Sequence, residues 1–258
     1  MEEYVLICED SIEGILTGIY EAHVLKKGRN IVSHDNIHLV VKEPQMQKFF
    51  SEYIKIKINY EKAQKVINTI IQVCGEQVLY DLSLAMSSND EGKADAVYHT
   101  LVLGIRHRDK FVLSRVQDEA VCKTFNYRRA VANELCHIRE FVRFSELDNG
   151  MLYAKIGAKH NILPFLMPHF ADRLPAENFI IFDENYKLYG IHPKFKEWYI
   201  ASGLELSEDR IVYSQKEDEY QQLFKQFCDS IAIESRKNDK LQMNMLPLRF
   251  RPYMTEFK

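Results

Sequence analysis

The apolar residues change their period at about residue 144, and that change constrains the fold more than any overall composition does. From about residue 60 to 142 they recur every three to four positions, the spacing that turns one side of a helix toward a core. Beyond 144 they alternate in short runs divided by turn residues, as along half-buried strands. The strongest turn is Asp148-Asn149-Gly150, because Asn-Gly supplies the positive-φ positions of a tight hairpin between 144–147 and 151–156. A second hairpin is read at 178–182 and 186–192, with an added strand at 195–200 and a helix between the hairpins, capped by Asn161 and reaching Leu174. The hairpins predict an antiparallel sheet with helices on one face, and the class is α+β.

A smaller pattern precedes the helices. Tyr4–Cys8 reads as a strand, and Asp10 with Glu13 has capping-box spacing ahead of a helix that Gly28 ends. Strands follow at 37–41 and 53–58, and Asn59 caps an amphipathic helix ending near Gly75. Helices are read at 76–86, 94–105, about 114–141 as one long helix or two, and, after a charged linker containing Glu205–Asp209, at 218–234. The expected organisation is an N-terminal αβ unit over 1–80 and an α+β core domain over 85–258. The tail from Asn238 is too apolar for disorder and is expected to pack across that domain.

Composition excludes several functions. Thirty-four Lys and Arg against thirty-seven Asp and Glu leave a net charge of −3, so a nucleic-acid surface must be a local patch. Only 10 of 258 residues are glycine, and no glycine phosphate loop occurs, which excludes folds that rely on one. No apolar run reaches membrane-spanning length and the first ten residues lack a signal-peptide pattern, so the expected compartment is the cytoplasm. The five cysteines form no cluster and read as reduced, mostly buried thiols.

Five constellations carry chemistry. Glu134 and His137 have half the pattern of a di-iron bundle without a second copy, so they read as an ordinary pair on a wet helical edge. His34 and His38 share a side and leave a zinc site there open; no metal is assigned. Arg128, Arg139 and Arg143 share a helical face, as a phosphate-binding surface or as cations answered by Glu134, Glu140 and Glu146. His169 and Arg173 lie one helical turn apart, with Asp183 at the end of the next strand. Those three suit an acid/base site or a buried, paired network that Asp183→Asn would destabilise. In the tail, Arg236, Asn238, Gln242, Arg249 and Tyr253 suit phosphates and stacked bases, or simple packing.

One order of residues is more specific than any of these alone. Arg143-Phe144, Met151–Ile156, Asn161–Leu163, His169–Pro175, Ile180–Asp183 and Ile233–Gln242, with Pro247 and Glu256, follow an opening of Asp10–Leu16 and Tyr20–Ala22. This order resembles a bacterial family of unknown function assigned to DNA metabolism. Glu140 departs from the glycine of that pattern, and Phe250 from its tryptophan. The resemblance implies a companion to a radical-SAM DNA modification or repair protein, with uracil-DNA-glycosylase-like domains as further associates. It carries no cofactor of its own.

The reading is a DNA metabolism or repair accessory protein that binds DNA, or a damaged nucleotide within it, weakly when alone. Arg143, Arg173, Arg236 and Arg249 would meet phosphates, Asn238 and Gln242 a base edge or phosphate, and Tyr253 or Phe250 a base face. The alternatives are an enzyme acting on a nucleic-acid or nucleotide bond through His169, Arg173 and Asp183, and a purely structural interaction protein.

Overall fold

A computed structural model describes residues 3–28, 33–46, 49–203 and 211–257. The linker segment Glu205–Asp209 lies outside the described residues. The chain is α+β and divides into two compact units, Met1–Ala132 and Asn133–Lys258.

In the first unit, β1 (Glu3–Ile7) lies between β2 (Ile37–Val40) and β3 (Ser51–Lys55), parallel to both. Helix α1 (Ile12–Gly28) makes the first parallel crossover. Its N-cap is Ser11 rather than Asp10: the Ser11 hydroxyl accepts from the Gly14 amide at 3.0 Å. Asp10 is drawn away by Lys93, whose almost fully buried ammonium lies 2.5 Å from the Asp10 carboxylate and donates to the Ser88 carbonyl. Helices α2 (Tyr60–Val73), α3 (Glu76–Met86) and α4 (Lys93–His107) follow their apolar stripes, and Asn59 caps α2. Their buried faces share one core with the sheet: Leu6, Ile15, Leu39, Ile70, Leu82 and Leu101 belong to a single cluster. The third and fourth helices therefore belong with the N-terminal sheet, because their apolar stripes close on it. Helix α5 (Glu119–Phe141) is one continuous helix that contributes residues to both units.

The second unit holds a five-stranded sheet in chain order: β4 (Ser145–Glu146), β5 (Leu152–Ile156), β6 (Phe179–Asp183), β7 (Leu188–His192) and β8 (Tyr199–Ser202). The β4–β5 hairpin forms as expected, with Gly150 at φ 77°, although Asn149 does not share the positive φ that the Asn-Gly pair implied. The sheet is nonetheless mixed. β5 and β6 run parallel, because α6 (Leu163–Arg173) carries the chain back to the starting edge before β6 begins. Asn161 does not cap α6; Ile162 holds that position and the buried Asn161 Oδ1 has no hydrogen-bond partner. Met167 of α6 packs over Gly190 of β7, where a side chain would collide with the Met167 Cγ.

Helix α7 (Gln215–Ile231) and α8 (Asp239–Met245) close the chain, followed by short 3₁₀ turns. The tail packs only in part. Phe250 and Met254 are buried, whereas Leu241, Met243 and Met245 are exposed. The thiols also differ from expectation: Cys8 and Cys74 are buried, Cys122 and Cys228 half-buried, and Cys136 exposed.

Candidate functional site

The parallel pairing of β5 and β6 sets Ile156 beside Asp183, so both strands deliver their carboxyl ends to one place. In α/β sheets that is where loops gather polar groups for a ligand. Asp183 is fully buried there. Its Oδ1 accepts from the Asn185 amide at 3.1 Å, while Oδ2 has no hydrogen-bond partner. Burial pushes its pKa up to about 6 against the pull of backbone amides, and the Glu134 charge adds to the rise.

Glu134 corrects the reading of a wet helical edge, for it is 1% exposed. Its oxygens accept from the Lys159 and His160 amides at 3.1 and 2.8 Å, and Arg249 Nη2 lies 3.0 Å away. Arg249 also stacks on Phe250, with its guanidinium 4.6 Å from the ring centre. This arginine of the tail is therefore tied to a buried carboxylate.

His169 and Arg173 are not part of that cluster. Among the described residues no hydrogen bond or ion pair joins either to Asp183. His169 is half-buried on α6 against Phe170, and burial and the charges of Arg139 and Arg173 lower its pKa. Arg173 is exposed at the end of the helix. The charge neighbour of Asp183 is Glu134, which comes from a different helix and carries no spacing relation to it.

Beside this cluster, a cavity of about 280 Å³ is lined by Arg143, Lys155, Glu184, Tyr153, Tyr213 and Tyr253. Lys155 Nζ lies 2.7 Å from Glu184, and the Tyr253 hydroxyl donates to the same carboxylate. Lys155 first, and then Tyr253, hold the Glu184 pKa below its ordinary value. The Tyr253 ring approaches the backbone at Gly157 so closely that a Cβ there would lie 2.7 Å from its Cζ. Arg143 forms a two-point pair with Glu256 and donates to the Glu140 carbonyl at 3.0 Å.

None of the three carboxylates expected to answer the arginine face does so with its side chain. Arg128 pairs with Asp81 at 2.8 Å, Arg139 donates to the Phe165 carbonyl at 3.1 Å, and Arg143 takes Glu256. The proposed tail contacts separate in the same way. Arg236, Asn238 and Gln242 line a wide groove of about 960 Å³ with Ile231, Leu241 and Met245. Asn238 is engaged as the N-cap of α8, accepting from the Leu241 amide at 3.0 Å. Arg143 and Tyr253 share the smaller cavity.

Lys155, Tyr153 and Tyr213 were missing from the sequence reading. Tyr153 and Lys155 stand two apart on β5, a spacing that places them on one face, and that was the available signal. Tyr213 reaches the cavity through an isolated bridge to Leu147, which no local pattern announces.

In the first unit the expected histidine pair is split. His34 Nδ1 is hydrogen-bonded to the Tyr98 hydroxyl at 2.6 Å, and burial with the nearby Lys26 and His23 charges lowers its pKa to about 4. His38 faces Asp95 instead, at 3.4 Å.

No helix among the described residues is long and apolar enough to cross a membrane. No curated protein matches the chain. A family model does: that of DUF4130, a domain of unknown function, over residues 91–256. That span is well over half of the sequence and includes every element that builds the cavity and the buried carboxylate cluster, so this protein belongs to the DUF4130 family.

Proposed function

We propose that this protein is an accessory of DNA metabolism or repair that binds DNA, or a damaged nucleotide within it, and works beside a radical-SAM partner. The observation that carries the reading is the small cavity of the second unit, where Arg143 and Lys155 stand among Tyr153, Tyr213 and Tyr253. Cations suit phosphate oxygens, and an exposed tyrosine ring such as Tyr213 offers a stacking surface for any base. The pairing of both cations with Glu256 and Glu184 supports weak binding by the isolated chain, since a phosphate must compete with a carboxylate for each.

The partner half of the reading is supported by the family resemblance of the motifs and by α7. Tyr220, Leu223, Phe227 and Ile231 are all more than half exposed on that helix. An apolar strip of that kind is what a protein partner covers.

Fluorescence anisotropy with labelled single-stranded and duplex oligonucleotides tests the binding half. Lys155→Ala and Tyr213→Ala should each weaken binding, the latter by about 1–3 kcal/mol for a stacked base. Undiminished affinity in both variants, with the fold intact by circular dichroism, rejects the cavity as the binding site. Co-purification with a radical-SAM protein, with and without DNA, tests the partner half.

A second reading rests on Asp183. A buried carboxyl with one unpaired oxygen and a pKa near 6 suits a general base, so an enzyme acting on a nucleotide bond is the alternative. Loss of nucleotide cleavage in a folded Asp183→Asn protein would favour it.

A further inference from the structure

We propose that the first unit carries a divalent-metal site formed by His38, Asp95 and His99, suited to Zn²⁺ or a similar borderline cation. Three side chains of these types supply two imidazole nitrogens and a carboxylate oxygen, the donor set such ions take from proteins. Their donor atoms all lie within 4.8 Å of one another.

The fold places each ligand for a local reason. Asp95 and His99 stand four residues apart on α4, so both project from one side of that helix. His38 lies on β2 between Ile37 and Leu39, which are fully buried in the core. Alternation along the strand therefore turns His38 to the opposite face, toward α4. β2 is an edge strand, and its Leu39 amide donates to Asp95 Oδ1 at 3.1 Å. That bond holds the carboxylate in place, and the oxygen that faces both histidines keeps lone-pair capacity for an ion. Backbone support of this kind is how metal-binding side chains are commonly oriented.

Two of the three donor separations suit a shared ion. His38 Nδ1 lies 3.4 Å and His99 Nε2 3.6 Å from Asp95 Oδ1. Direct charge-assisted bonds would be shorter, about 2.7–2.9 Å. Ligands of a tetrahedral ion bound at about 2.0–2.1 Å are instead about 3.3–3.4 Å apart.

Three protein ligands leave one position open. The group opens on a cavity of about 580 Å³, also lined by Arg106 and Lys123. The side chains of His38, Asp95 and His99 are 33, 36 and 21% exposed, so water or a small anionic ligand has access to the fourth position. An accessible position of this sort separates an exchangeable or catalytic metal from a closed structural one.

The test uses the full chain, stripped with a chelator and titrated with Zn²⁺ in a calorimeter. One Zn²⁺ should bind per chain, and Co²⁺ in its place should give the visible absorption of a four- or five-coordinate ion. His38→Gln and His99→Gln should each lower Zn²⁺ affinity by at least about tenfold. His34→Gln should leave it unchanged, because His34 is bound to Tyr98. An absence of binding in the wild type, or equal affinity in the double variant His38→Gln, His99→Gln, overturns the proposal. Imidazole NMR on the wild type removes any dependence on how the variants fold: Zn²⁺ should shift the ring signals of His38 and His99. Zn²⁺ that moves other histidines and not these two overturns the assignment.

Discussion

Arg143 and Glu256, 113 positions apart in the chain, meet as a two-point ion pair, with Nη2 to Oε1 at 2.7 Å and Nε to Oε2 at 3.3 Å. The guanidinium also lies 5.9 Å from the centre of the Phe224 ring. A carboxylate thus occupies the fork that a phosphate would use. In the proposed interface a nucleic-acid phosphate would have to displace Glu256 from this guanidinium.

Glu256→Gln should free that fork. The expected result is tighter binding of single-stranded oligonucleotides and a salt slope steeper by about 0.7, the increment of one added phosphate contact. Adding Arg143→Ala to Glu256→Gln should remove that gain and return the slope to its wild-type value. Titrations at several salt concentrations read both, and identical slopes in all three proteins remove Arg143 from the interface.

Asp183 predicts a pH dependence whose sign follows from its raised pKa. In the folded chain the carboxyl holds its proton up to about pH 6, whereas its ordinary value is 3.8. Folding therefore takes up a proton between those values. The contribution is fully present below about pH 4 and is lost as pH rises through 6. A shift of about two units corresponds to about 3 kcal/mol. Asp183→Asn should accordingly stabilise the second unit at pH 7.5 and have little effect at pH 4. This reverses the loss expected of a fully paired carboxylate, because Oδ2 has no partner to lose. Urea unfolding followed through the single tryptophan, Trp198, checks it; equal effects at the two pH values contradict it.

Arg249 should behave as a structural residue. Removing it leaves Glu134 buried with only two backbone donors. Arg249→Ala is expected to destabilise by about 1–2 kcal/mol, the guanidinium being 45% exposed and its charge partly screened. Adding Glu134→Gln should recover part of that loss. A double-mutant cycle with denaturant curves measures the coupling; a neutral Arg249→Ala that weakens DNA binding would return this arginine to the interface.

Gly157→Ala should disturb the cavity from below. The added methyl group would overlap the Tyr253 ring and displace its hydroxyl from Glu184. Overpacking of this kind costs about 1–3 kcal/mol. The readouts are a lower melting temperature and loss of the Tyr213-dependent share of oligonucleotide binding.

Much of the scaffold was legible because it is written in local patterns. Apolar repeats set α2, α3 and α4, Asn59 stops β-structure and starts a helix, and Asn149-Gly150 makes a hairpin wherever strands flank it. Each depends on residues within a few positions of one another, so period and turn chemistry suffice. Even locally, competition intervened: Asp10 lost the α1 cap to Ser11 because a buried ammonium at Lys93 needed a carboxylate.

Only the tertiary structure decided which groups meet. His38 has its imidazole neighbour in His99, sixty-one residues on, and not in His34, which the spacing suggested. Asp183 lies within reach of the Glu134 charge, Arg143 meets Glu256, and Lys155 meets Glu184, each across separate elements. The parallel placement of β5 and β6, which gathers the second unit's buried carboxylates, came from one helical crossover between strands that read as hairpin arms. A period records which face of an element is buried. It holds no record of which distant element will cover that face, and charge pairing and metal geometry depend on that choice alone.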